Sequence, residues 1–336
     1  MRALILLLLC IGLAVGEDRL RVCATTADLA SLARAVGGDA VDVTAFAKGG
    51  DDPHFVEPRP SFVKALSRAD VLIDIGMELE IGWLPALVAQ AGKASLGPDG
   101  AGRITAARVI RRLGIPTRPI DRSQGDVHAE GNPHFLLDPV NGAKVARLLR
   151  DRFSALRPAA AATFAANHEA FAGRLADALF GAEAVAALGG AGPALALADE
   201  GAALAKLGDV KLVAGGWLGA LASRAGTTVV ADHDQWQYVA QRFAIEVVGF
   251  LEPRPGLPPT SRHLGEVAAL MQTKGCRLIL VSPFFDRASA DVVAKRTGAT
   301  VVRLAHQVGS LPGTDDYLAW VAHNVAELAA APGPAP

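Results

Sequence analysis

The sequence predicts an α/β protein of two lobes, each with a mostly parallel central sheet flanked by helices. Three observations carry that expectation. Short β-branched runs alternate with amphipathic helical patterns from residue 20 to residue 155. The same alternation returns after about residue 189. Between them lies a long alanine-rich stretch without proline, which could join the two halves. Strands alternating with helices argue for parallel pairing with helices on both faces.

The first segment reads as a leader. "MR" is a basic start, "ALILLLLCIGLAV" an apolar run, and Ala14-Val15-Gly16 a small-x-small cleavage site before Glu17. That is the pattern of a secretory signal peptide, and the run is short for a membrane span. Cys10 is preceded by Leu9, where a lipid-attachment motif needs a small residue, so export without a lipid anchor is expected. The expected organisation is a leader over 1–16, an N-terminal lobe over 17–155, a connecting helix over 156–188, a C-terminal lobe over 189–331 and a frayed tail over 332–336.

In the N-terminal half, "LRVCAT" reads as a strand and "DLASLARAVGG" as a helix ended by glycine. "VDVTAFA" is a second strand, "PSFVKALSRA" a helix, "DVLIDIG" a strand and "GWLPALVAQAG" a helix. Asp138 and Pro139 suit the N-cap and first position of the helix "VNGAKVARLLRDRFSAL". Pro158 ends that pattern. From Ala159 to about Leu188 only Gly173 and Gly181 interrupt a run of strong helix formers. A helix of about 25 residues would run about 37 Å. In the second half, "ALALADE", "VKLVAG", "TTVVAD", "IEVVGFLE", "CRLILVS" and "TVVRLAH" are strand candidates. "DQWQYVAQRF", "SRHLGEVAALMQ", "ASADVVAKRTG" and "DDYLAWVAHNVAELAAA" are helix candidates. "GGAGPA" precedes its expected strand instead of following one, which excludes a Gly-rich nucleotide loop.

Composition removes several function classes. A formal net charge of -1 offers no basic excess for nucleic acid or an anionic membrane. Beyond the leader, Cys23 and Cys276 each sit in a strand-like run and read as buried thiols, with no Cys-x-x-Cys spacing for a metal.

The histidines are the informative residues. Ligands in open α/β sheets bind beyond the carboxyl ends of the strands. His54, in "DDPHF", follows a strand after one short loop, with Pro53 fixing the backbone beside it. His134 sits in a second Pro-His-Phe triplet, "NPHFLLDP". His233 directly ends the strand "TTVVAD". Asp315 and Asp316 open the last helix, where one can cap and the other coordinate. His128, in the turn-rich "DRSQGDVHAEGN", reads as a solvated residue or an auxiliary metal contact. His306, ending "TVVRLAH", is a rival ligand. His168, His263 and His323 read as structural. Three imidazoles and one carboxylate suit zinc in a closed tetrahedral shell, whereas manganese favours more oxygen. The same donors also accept copper.

At this point the chain resembles the substrate-binding proteins of zinc and manganese ABC importers, the cluster A-I solute-binding proteins. "VCATTADLASLARAVGGD", "DPHFVEPRPS", "GNPHFLLDP", "VGFLEPRPGLPP" and the terminal "DDY" carry the resemblance. It implies two α/β lobes joined by one long, rather rigid helix, with the metal between them. By position it places the ligands at His54, His134, His233 and Asp315, with Asp316 as the adjacent rival. Histidine at the third position is similar to zinc-type members and favours Zn2+ over Mn2+. Many zinc-type members carry a long His- and Asp-rich loop ahead of the second ligand. Here only "GDVHAEGN", with Asp126 and His128, stands in that place.

The expectation is therefore a periplasmic, monomeric, high-affinity zinc-binding protein that is not an enzyme. It would deliver metal to an ABC permease with its ATPase, with a periplasmic metallochaperone as a further candidate partner and no nucleic acid. A manganese-binding member is the alternative. An exported zinc hydrolase or chelatase is a lesser one, for which Glu200 at a strand end could be offered as the base or equally read as a capping or surface residue, and no His-Glu-x-x-His motif exists. A surface adhesin is the third, weakened by the missing lipid-attachment motif.

Overall fold

The structure, a computed structural model, describes residues 19–117, 128–253 and 257–332. The expected leader with Cys10, the residue Asp126 and most of the tail lie outside the described residues. Among the described residues no helix is long and apolar enough to cross a membrane.

Two four-stranded, all-parallel sheets form the frame. The first holds β1 (Leu20–Ala24), β2 (Val41–Ala45), β3 (Val71–Asp74) and β4 (Arg103–Thr105), in the order β2-β1-β3-β4. The second holds β5 (Thr228–Ala231), β6 (Glu246–Phe250), β7 (Leu278–Val281) and β8 (Thr300–Arg303), in the order β6-β5-β7-β8. Both sheets thus change direction between their first and third strands, and such a switch point opens a crevice at the carboxyl ends. The central strands β3 and β7 are buried along their whole length, which is why they read as continuous apolar runs.

The helices start and stop where the local chemistry requires. In α1 (Ala27–Gly37) the Thr26 side chain accepts from the Leu29 amide. Proline opens α2 (Pro60–Arg68), and Gly92 in the left-handed region closes α3 (Leu84–Ala91). Asp138 caps α4 (Pro139–Leu156), with Pro139 at its first position. The alanine-rich helix α5 (Ala161–Phe180) has 20 residues and is shorter than expected. It stops at Gly181, whose φ of 82° no ordinary residue adopts cheaply, whereas Gly173 passes inside the helix. A separate helix, α6 (Ala182–Ala187), follows.

Two strand expectations give way to other structure. "ALALADE" forms α7 (Ala191–Asp199), which packs against α4 and α5 and buries Ala194, Leu195 and Ala198. An Ala-Leu alternation fits a strand by period, but its residues are strong helix formers and tertiary packing decides. "VKLVAG" follows α8 (Ala203–Asp209) as irregular chain, with Val210 and Val213 exposed. Next come α9 (Gly216–Ala220), α10 (Gln237–Arg242), α11 (Ser261–Lys274) and α12 (Arg287–Thr297). The last helix is α13 (Tyr317–Ala330), capped by Asp316.

One hydrophobic core runs through both lobes, from Leu20 and Val71 across Phe153, Phe171 and Leu179 to Val229, Leu280 and Leu328. Smaller clusters sit on the outer faces, around Phe46 and Trp83 in one lobe and Met271 and Ile279 in the other. The last helix returns to the first lobe and packs on α1. The Tyr317 amide donates to Ser31 Oγ at 2.9 Å, and its hydroxyl donates to the Leu136 carbonyl at 2.7 Å. Asp28 in α1 accepts from the Val308 amide at 2.7 Å. Gln307 Nε2 donates to the carbonyls of Lys48 and Asp51, each at 2.7 Å. Cys23 and Cys276 are buried free thiols.

A side chain at Gly142 in α4 would overlap the Tyr317 ring. Gly142→Ala should therefore destabilise the protein by about 1–3 kcal/mol through overpacking. Urea unfolding checks this, and an unchanged midpoint would show that the ring has room to retreat.

Candidate metal centre

Three loops bring three imidazoles to the crevice between the sheets. After β2 the chain reaches Asp52, and Pro53–Phe55 make a single 3-10 turn. Asp52 Oδ1 accepts from the His54 amide at 3.0 Å and from His54 Nδ1 at 2.7 Å. The Pro53 carbonyl accepts from Trp83 Nε1 at 3.0 Å, so the turn is braced from the core side. The Nδ1 proton of His54 therefore lies toward Asp52, and Nε2 presents its lone pair to the crevice.

His134 is held by Asn132, whose Oδ1 accepts from the His134 amide at 2.9 Å. The same side chain reaches the other lobe, with Asn132 Nδ2 donating to the Asp234 carbonyl at 2.7 Å. His134 Nε2 is buried and has no partner. His233 follows the carboxyl end of β5, and its amide donates to Asp232 Oδ1 at 2.7 Å. Glu252, beyond the end of β6, holds His233 Nδ1 through Oε2 at 2.9 Å. Asp232 is fully buried and also accepts from Trp236 Nε1 at 2.9 Å, the Ser282 amide at 2.6 Å and the Ser282 hydroxyl.

One candidate donor atom from each of His54, His134 and His233 lies within 4.8 Å of the other two. The ring centroids are 5.1 Å apart for His54 and His134, and 5.8 Å for each pair with His233. The planes cross at 59°, 76° and 85°, so the rings surround a shared centre and do not stack. His128 approaches from one side, its Nε2 3.2 Å from His54 Nε2.

Electrostatics keep the donors in different states. Burial, helped by the neighbouring imidazoles, drives His134 well below the ordinary imidazole value, so it is neutral. The same causes bring His128 down to about 3. Burial also works to lower His233, but the hydrogen bond and charge of Glu252 outweigh it and raise that group. Burial works to raise Asp52, and its bonds to His54 bring it below the usual carboxylate range. A set of imidazole nitrogens, one of them an orphaned buried atom, fits a divalent ion such as zinc. Asp52 and Glu252 supply the carboxylate–imidazole pairs that orient metal-binding histidines.

Residues 22–184 and 216–331 match the model of the family described as zinc-uptake complex component A, periplasmic (ZnuA). The chain belongs to the ZnuA family. It is 31% identical over 188 residues to the metal ABC transporter substrate-binding lipoprotein ScbA of Streptococcus cristatus, covering 52% of this chain and 57% of that protein. It is 39% identical over 80 residues to the iron ABC transporter substrate-binding lipoprotein MtsA of Streptococcus pyogenes serotype M1, 23% of this chain and 26% of that one. These matches thus span from about a quarter to just over half the length of the curated relatives. In fold, the chain resembles a zinc-bound ZnuA lacking residues 138–173, with a TM-score of 0.67 at 20% identity, covering 95% of this chain and 100% of that one. It also resembles a manganese-bound periplasmic metal-binding protein of Candidatus Liberibacter asiaticus, with a TM-score of 0.64 at 15% identity over 92% and 97% of the two chains.

Of the site residues this ZnuA-family sequence suggested, the structure gathers His54, His134 and His233, with His128 beside them. It does not bring the carboxylates of the last helix to that group. Asp315 is exposed just ahead of α13, and Asp316 spends an oxygen on the Ala319 amide at 2.9 Å. His306 bonds the Asp51 carbonyl through Nε2 at 3.1 Å and packs edge-on to Phe284. Its Nδ1 is buried without a partner, beside a cavity of about 30 Å³ that Asp28, His54 and His134 also line. Glu200 is exposed at the end of α7, in a separate polar cleft with Lys144 and Arg242. His263 bonds the Phe250 carbonyl at 3.1 Å, while His168 and His323 lie half-buried on α5 and α13. The sequence reading missed Asp52, Glu252 and Asp232. The signal for the first two was present, since "DDPHF" and "VGFLEPRP" place a carboxylate beside a candidate ligand and at a strand end.

A proton on His233 competes with a metal, and its raised pKa means that this competition begins above the ordinary value of about 6.5 as pH falls. Zinc affinity should therefore drop on going from neutral to mildly acid pH. Glu252→Gln should move that drop to lower pH, because His233 no longer has a carboxylate to hold its proton. At neutral pH the same change should weaken affinity about 10- to 100-fold. Competition against a chromophoric chelator across this pH range checks both, and an unshifted profile would remove Glu252 from the site.

Proposed function

We propose that this protein captures zinc in the periplasm and delivers it to an ABC permease with its ATPase. The observation that carries the reading is the donor set. Three imidazoles converge, their rings oriented by carboxylates or left with a free lone pair, and no carboxylate oxygen joins them among the described residues. Nitrogen donors suit zinc, whereas manganese is better served by oxygen. Membership of the ZnuA family supports the transport role. Each ligand sits on a loop at the rim of a sheet, where metal can enter from solvent and leave again. In this reading the protein acts as a monomer, and a periplasmic metallochaperone is a further candidate partner. Copper would fit the same nitrogen donors.

A manganese-binding role is the second reading. It is favoured by a relative named a manganese ABC transporter substrate-binding lipoprotein, PsaA of Streptococcus pneumoniae, 36% identical over 81 residues, 23% of this chain and 26% of that protein. Asp315 would then have to move inward and supply an oxygen. A hydrolase would need a base near the metal, and Glu200, the candidate, lies in another cleft.

Native mass spectrometry of chelator-stripped protein titrated with zinc and manganese together tests the proposal. One zinc per chain should be retained and should be lost in His54→Ala. Retention of manganese in preference to zinc would overturn the zinc assignment, and no bound metal would overturn the function.

A further inference from the structure

We propose that His128 is the fourth ligand of this centre, so that the metal is held by four imidazoles. This rests on the reading of His54, His134 and His233 as a metal site and adds the donor that closes it.

The spacing is the first argument. His54 Nε2 and His128 Nε2 stand 3.2 Å apart. Zinc–imidazole bonds are about 2.0–2.1 Å, so neighbouring donors of a tetrahedron are about 3.3–3.4 Å apart. This pair is already at ligand spacing, and one donor atom from each of His54, His134 and His233 lies within 4.8 Å of the other two.

Proton bookkeeping is the second argument. Asp52 holds the proton of His54 on Nδ1, at 2.7 Å, so Nε2 offers a lone pair to His128. A neutral His128 must answer with an N–H from its own Nε2. The two nitrogens thus share one proton between them, and a cation bound by both lone pairs would take its place.

The third argument is that the chain carrying His128 is held by built structure. The Ala129 amide donates to Glu78 Oε2 at 3.1 Å, and the Gly131 amide donates to the His128 carbonyl at 3.2 Å. Arg112 pairs with Glu130 at 3.0 Å, and the Asn132 amide donates to the Leu113 carbonyl at 2.8 Å. These bonds fix the short run between His128 and His134. Among the other candidates, His306 has one nitrogen tied to the Asp51 carbonyl and is the rival through its unpartnered Nδ1, Asp316 caps α13, and Asp315 is exposed. Four neutral nitrogens would also sharpen selection against manganese, which favours oxygen donors.

X-ray absorption at the zinc edge, with zinc affinity measured in parallel, tests this on the full chain, comparing wild type, His128→Ala and Asp315→Asn. The wild type should show four imidazole nitrogens. His128→Ala should keep one zinc per chain with one imidazole fewer. Its affinity should fall by more than the about 10- to 100-fold expected for losing an outer-sphere partner. Asp315→Asn should change neither quantity. A zinc-loaded wild type whose spectrum and affinity survive His128→Ala overturns this proposal alone, as does loss of an oxygen donor in Asp315→Asn. Wild type that takes up no zinc overturns the functional reading and this proposal with it. Thermal unfolding of the metal-free variants separates ligand loss from misfolding.

Discussion

The return of α13 to the first lobe is the constraint on which the rest of the structure depends. Tyr317 and Trp320 are both fully buried, and Tyr317 is bonded at its amide to Ser31 and at its hydroxyl to the Leu136 carbonyl. Two residues beyond Leu136 the Asp138 cap begins α4, and two residues before it stands His134. The contact that locks the C-terminal helix to the first lobe therefore also fixes the base of the loop that carries His134. Asn132 repeats the device on the other side, joining the His134 turn to the Asp234 carbonyl behind His233. Imidazoles carried by two different sheets can converge only because the sheets share a single core.

Within that frame, carboxylates decide what each histidine can do. Asp52 and Glu252 each take one ring nitrogen and leave the other to the crevice. Asp232, between them, accepts from both lobe-two loops and keeps the end of β5 in place. None of the three needs to touch the cargo. Their charge offsets the cost of gathering several imidazoles in a buried space, and it lets one of them stay basic while His134 stays neutral.

Much of this was legible in the sequence. The parallel α/β alternation, the Asp138–Pro139 helix start and the positions of His54, His134 and His233 at strand ends or on proline-braced loops all depend on local patterns. What was not legible depends on distant partners. "ALALADE" could be assigned only once α4 and α5 supplied the surface on which it packs. Asp315 and Asp316 look alike in sequence, and only the hydrogen bond to Ala319 separates the cap from its exposed neighbour. His128 stayed open between a solvated loop residue and an auxiliary metal contact, because nothing nearby in the chain announces that His54, 74 positions earlier, would stand against it.

The shared core has a kinetic consequence. Parting the two lobes like a hinge would pull Tyr317 and Trp320 out of their packing and break the Gln307 bridge to the loop ahead of His54. That is close to global unfolding, which is rare and slow. Motions of single loops and side chains are faster by many orders of magnitude. Exchange of an ion held by these imidazoles would therefore be timed by the turns that carry them, and its residence time would be tuned by changing those turns while the scaffold stays still.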